Sequence, residues 1–161
     1  MRALAVVVLL VWVPGWAAAA DTAAPVGYGM WSPAQLREVG GRLQKEIGDK
    51  PVALETLGTY QGHSVYLALR TRTGAAEIHD TQSDIQIGVT GTATLVVGGE
   101  LIEPRKLPGK QQQGSGINGG VRYQVGPGDI EHVPAATPHL LIIAPGKPYL
   151  YLLIKLDEEP N

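Results

Sequence analysis

From Val52 onward, apolar and polar positions alternate in short runs punctuated by Gly, Pro and Asp at intervals of about ten residues. The pattern predicts strands centred on Leu54, Leu67, Ile78, Ile87, Val96, Tyr123, His132, Ile142 and Leu152, in a sandwich or barrel rather than a β-α-β unit. It breaks at EPRKLPGKQQQGSGINGG, Glu103 to Gly120, which predicts one long irregular insertion, either a cover over a barrel mouth or a solvated excursion.

Before the strands, Leu36, Val39, Leu43 and Ile47 recur at helical spacing and give a helix one apolar face. Ser32 reads as its N-cap, Pro33 as its first residue, Gln35 as the capping-box partner, and Trp31 with Leu36 as a hydrophobic staple. Gly48 and Pro51 end it. Gly40 and Gly41 each weaken such a helix by about 1 kcal/mol relative to alanine, so it has to dock to persist.

The chain begins with Arg2, an apolar run over residues 3–13 and the small residues of WAAAA ending at Ala20. This is the pattern of a signal peptide, too short to span a bilayer; the alternative is an N-terminal membrane anchor. The expected division is a signal peptide at 1–20, a leader and helix at 21–50, and a β-barrel domain at 51–161. The protein is expected in the periplasm or the medium, with no stable membrane insertion after cleavage. The 13 basic and 15 acidic side chains give a net charge of −2, and losing Arg2 makes it −3, which argues against a nucleic-acid partner. Cysteine and phenylalanine are absent, so no disulfide braces the fold and the core has to be aliphatic with tyrosines.

Side-chain alternation puts Glu77 and His79 on one face of their strand. In the next strand Asp84, Gln86 and Gly88 share a face, opposite Ile85, Ile87 and Val89. Polar groups inside and aliphatics outside invert ordinary burial. The outer stripe then needs a cover, either the helix or a second subunit, which makes a homodimer an expectation.

Two segments carry the most specific chemistry. AEIHDTQSDIQIGVTG holds Glu77, His79, Asp84 and Gly91, and GPGDIEHVPAATPH holds Pro127, Gly128, Asp129, Pro134 and His139. Together they resemble the paired motifs of the cupin superfamily, with His79, Asp84 and Gly91 at the second histidine, acid and glycine positions of the first motif and the rest reproducing the second. Two positions depart from that pattern: Glu77 stands where the first histidine is usual, and Asp84 replaces a glutamate. The resemblance spans roughly residues 52–156. It implies an all-β fold, a cupin-type double-stranded β-helix or jelly-roll barrel with one short N-terminal helix. It also implies that the barrel brings His79, Asp84, His139 and Glu77 around one divalent transition metal, Fe, Mn or Zn.

Within that set Glu77 has three open roles: metal ligand, bystander or catalytic general base. Gln86, on the same side as Asp84, is a candidate substrate-binding residue. His63 and His132 are expected to be exposed or locally bonded, and Gly91, Gly126 and Gly128 to serve turns. GVTGTA and GSGING lack the context of a phosphate-binding loop, Ser64 and Ser115 lack a nucleophile elbow, and KLPGKQQQ is too weakly basic for a polyanion site. The expected function is that of a metal-dependent enzyme acting on a small organic molecule. The alternatives are a non-catalytic module for a sugar or organic acid, and a metal-free barrel, so whether the protein is an enzyme stays open.

Overall fold

The computed structural model describes residues 24–158, so the segment read as a signal peptide lies outside the described residues. Among the described residues one helix, α1 (Pro33–Glu46), precedes thirteen strands: β1 (Val52–Tyr60), β2 (His63–Arg70), β3 (Ala76–His79), β4 (Gln82–Thr90), β5 (Ala93–Val97), β6 (Glu100–Ile102), β7 (Arg105–Leu107), β8 (Gln111–Gly114), β9 (Gly116–Asn118), β10 (Val121–Val125), β11 (Ile130–Val133), β12 (His139–Ile142) and β13 (Tyr149–Asp157). All pairings are antiparallel. One sheet runs β1-β2-β13-β4-β11 and the other β10-β5-β12-β3-β8-β7, with β6 and β9 forming a small separate ribbon.

All nine predicted strand centres fall within strands. The long insertion does not stand as predicted. Residues 103–120 contain β7, β8 and β9; β8 pairs with β3, placing Gln113 opposite Glu77 and Gln111 opposite His79. Three successive glutamines give no periodic signal, but each still has a backbone N–H and C=O that β3 can satisfy.

The helix starts as its sequence predicts. Ser32 Oγ accepts from the Gln35 amide at 3.3 Å while Gln35 Oε1 accepts from the Ser32 amide at 2.8 Å, which closes the capping box. Leu36, Leu43 and Ile47 then pack on Leu67, Leu69 and Leu150, with Val89 and Leu152 at the margin. The helix thus covers the part of the outer aliphatic face of the first sheet that carries Val89, while Ile85 and Ile87 lie outside this cluster. Gly40 sits where it does because of this docking: a Cβ there would lie 2.6 Å from Leu150 Cδ2. The neighbouring Gly41 faces open space.

Between the sheets, Ala93, Leu95, Val125, Val133, Leu141 and Leu153 pack around Tyr149 and Tyr151, whose rings stack with centroids 5.1 Å apart. The two tyrosines supply the aromatic bulk that phenylalanine commonly provides in a core. In β4 the expected inversion is present: Asp84, Gln86 and Gly88 are buried, and Ile85, Ile87 and Val89 are only half-buried. Polar side chains can face inward only if something in the interior satisfies them.

Candidate metal centre

The two sheets contribute opposite walls of the site. From the second sheet, β3 supplies Glu77 and His79, and β12 supplies His139, whose Cα is paired with that of Glu77. From the first sheet, β4 supplies Asp84 and Gln86, and β13 places Lys155 directly opposite Asp84. His79, Asp84, Gln86 and His139 are all buried, and Glu77 is half-buried. They line a cavity of about 230 Å³ that also reaches Arg70 and Gln111.

Local hydrogen bonds fix the histidines. The Ala136 amide donates to the His79 carbonyl at 2.8 Å, and the Gly98 amide donates to the Pro138 carbonyl at 2.8 Å, tying down the turn that leads into β12. His139 Nδ1 lies 3.1 Å from the Thr137 carbonyl, to which it can donate, and its Nε2 points to the interior. His79 Nδ1 is buried without a partner, while its Nε2 faces the Lys155 ammonium at 2.9 Å. Nε2, as acceptor of an ammonium N–H, is the unprotonated nitrogen of this ring.

Carboxylates surround these nitrogens. Asp84 Oδ2 lies 3.6 Å from His79 Nε2 and 3.5 Å from His139 Nε2, and Asp84 Oδ1 accepts from Lys155 Nζ at 3.0 Å. Glu77 Oε2 is 4.0 Å from His79 Nε2 and 3.9 Å from Arg70 Nη2, and Gln113 Nε2 donates to Glu77 Oε1 at 3.1 Å. Burial alone raises the pKa of Asp84, but the adjacent His139 and His79 rings and the charge of Lys155 outweigh it and hold the carboxyl well below the usual range. Arg70 donates from Nε to Tyr151 Oη at 3.1 Å; burial opposes its charge, yet Tyr151, Glu77 and Asp84 leave its pKa raised. The same burial raises the pKa of the enclosed Tyr151 hydroxyl.

The donor set fits a divalent first-row metal. One donor atom each from Glu77, His79 and His139 lies within 4.8 Å of the others. Ligands about 2.1 Å from a shared ion are separated by roughly 3 to 4.3 Å, and two imidazoles with carboxylate oxygens are the chemistry such ions take. Asp84 sits against this trio, in contact with both Nε2 atoms, and Gln86 lines the same cavity with its Oε1 buried and unpartnered. His63 stacks on Tyr60 with centroids 4.8 Å apart, and His132 is exposed; neither lines the cavity.

Lys155 and Arg70 were not singled out from the sequence. A signal for Lys155 was there: Tyr149, Tyr151, Leu153 and Lys155 alternate onto one face of β13, and a charge on a face that is otherwise buried needs a partner inside. Arg70 follows Tyr66 and Ala68 onto the corresponding face of β2.

Gly91 and Gly88 keep the walls close. Gly91 has φ +77° and its Cβ position is 2.0 Å from the Pro148 carbonyl oxygen, so no side chain fits there. At Gly88 a Cβ would fall 1.9 Å from the Gly126 carbonyl oxygen.

No protein-family model matches the chain, and no curated protein matches it by sequence. Solved structures do. A Klebsiella pneumoniae protein described as having a double-stranded β-helix domain aligns with a TM-score of 0.51 at 11% identity, over 71% of this chain and 84% of that one. The TT1209 protein of Thermus thermophilus gives 0.49 at 15% identity, over 72% and 95%. A recombinant oxalate oxidase in complex with glycolate gives 0.48 at 15%, over 70% and 54%. With its antiparallel sheets facing each other across a buried histidine and carboxylate cluster, the chain has a double-stranded β-helix fold.

Proposed function

We propose that this protein binds one divalent first-row transition metal through Glu77, His79 and His139, with Asp84 beside them, and acts on a small organic molecule held in the adjoining cavity. The observation that carries this reading is the convergence of two inward-facing imidazole nitrogens and two carboxylates on one buried point. A metal held there would supply Lewis acidity toward a ligand oxygen. The chain's own residues then position the ligand. Gln86 lines the cavity, has a buried unpartnered amide oxygen and is the substrate-binding candidate. Glu77, restrained by Gln113 and close to Arg70, serves as a ligand or, when not coordinating, as the general base.

The direct test is elemental analysis of protein purified without chelator. About one equivalent of Fe, Mn or Zn is expected in the native chain, with much less in His79→Ala and His139→Ala; unchanged metal content in both variants defeats the proposal.

A second reading is a non-catalytic module for a sugar or organic acid. It is favoured by Lys155, which gives the cluster a cation from the chain itself. Binding without turnover across a panel of small acids and sugars, with metal restored, selects the module. In either case the first twenty residues support export to the periplasm or medium. Mass analysis of the extracytoplasmic protein should find Asp21 at its N-terminus.

A further inference from the structure

We infer that Lys155 is an internal cation that competes with metal for the centre, so that loading the site means exchanging an ammonium group for a metal ion. This rests on the metal reading given above. The ammonium lies 2.9 Å from His79 Nε2 and 3.0 Å from Asp84 Oδ1. An imidazole nitrogen has one lone pair. The pair that accepts from Lys155 is the one a metal requires, so the two cations exclude each other at His79.

Charge balance sharpens the competition. Around the cluster, the carboxylates of Glu77 and Asp84 are matched by Arg70 and Lys155. With neutral imidazoles the centre is formally uncharged before any metal arrives. Adding a divalent ion while the ammonium stays in place leaves two excess positive charges and drives the two cations apart. Lys155 can yield: its stem is flexible, its side chain keeps 19% of its surface exposed and it already lines the cavity. Arg70 cannot substitute for it in this role, since its guanidinium is bound to Tyr151 and lies against Glu77 rather than against the histidines. Displaced from His79, the ammonium stays at the cavity wall beside the metal, placed to meet an anionic ligand group. That ties the exchange to ligand choice and favours a carboxylate over a neutral sugar.

Calorimetric titration of chelator-stripped protein with Zn²⁺ tests the exchange. Lys155→Met, which keeps the stem and removes the charge, is expected to bind Zn²⁺ at least tenfold more tightly than the native chain, a difference of about 1.4 kcal/mol. A second measurement needs no variant. Acetylation of native protein by an amine-reactive ester, mapped by mass spectrometry, should rise severalfold at Lys155 on adding Zn²⁺, because the ammonium loses its imidazole partner. Equal or weaker Zn²⁺ binding by a folded Lys155→Met, or unchanged labelling of Lys155 in Zn²⁺-bound native protein, overturns the inference and leaves the metal reading intact. If neither chain binds Zn²⁺, Mn²⁺ or Fe²⁺, both fall. If only Lys155→Met binds, the native metal reading falls and the exchange falls with it, because the lysine is then never displaced.

Discussion

Asp84 and Lys155 face each other across β4 and β13 as register partners, and Asp84 Oδ1 accepts from the ammonium at 3.0 Å. Because the carboxyl pKa is held below its unfolded value, the stability this group contributes is complete above the unfolded pKa. It is lost as pH falls toward the folded one. Stripped native protein should therefore lose stability progressively below about pH 4. Asp84→Asn should be weaker by about 1–3 kcal/mol at pH 7, since it leaves a half-buried ammonium without its counter-ion, and should lose less on further acidification. Urea unfolding between pH 7 and pH 2 checks both; parallel curves for the two proteins exclude this role.

The two adjacent helix glycines should respond in opposite directions. Gly41→Ala adds a methyl group to open space and removes a helix penalty, so it should stabilise by about 1 kcal/mol. Gly40→Ala gains the same propensity but drives a Cβ to 2.6 Å from Leu150, lifting α1 off the sheet, and should destabilise by about 1–3 kcal/mol. Thermal unfolding of the pair is the measurement, and equal shifts would show that the helix does not dock as described.

Glu131 is a liability of the fold. Burial, with the Asp129 carboxylate second, raises its pKa, and both its carboxylate oxygens are inaccessible and unpartnered. A raised acid pKa costs nothing when the group is protonated in both states; the cost grows as pH rises from the unfolded pKa and is complete above the folded one. Glu131→Gln should be near neutral at pH 4 and stabilising at pH 7, by no more than about 1 kcal/mol because part of the residue meets solvent. A destabilised variant at pH 7 would point to a partner for this carboxylate.

Gly88→Ala should be the most damaging methyl addition in β4. The obstacle is the Gly126 carbonyl oxygen, and this backbone is held at 3.0 Å by two hydrogen bonds, from the Gly88 amide to the Asp129 carbonyl and from the Gly128 amide to the Gly88 carbonyl. A loss of about 3 kcal/mol or more is expected, read by denaturant midpoint. A shift below about 1 kcal/mol would mean that the 126–129 turn is free to move.

Much of this architecture is legible in the sequence where local chemistry and long-range packing agree. The capping box from Ser32 to Gln35, the apolar face of α1 and the inverted burial in β4 all follow from periodicity and donor–acceptor rules. The convergence of His79 and His139 does not; sixty residues separate them, and the cupin resemblance supplied the expectation. The glutamine strand β8 was missed because polar side chains on both faces leave the backbone as the only partner-seeking element. Lys155 was missed for a related reason. Near the acidic end of the chain it reads as one more solvated charge until its neighbours Tyr151 and Leu153 are known to point inward.

The amide of Ala136, bonded to the carbonyl of His79 three residues before His139, makes the two imidazole-bearing strands report on each other. That single N–H is protected from solvent only while β3 and the turn before β12 are in contact. Its hydrogen-exchange rate is therefore a local gauge of whether the centre is assembled, readable in native protein without any ligand or substitution.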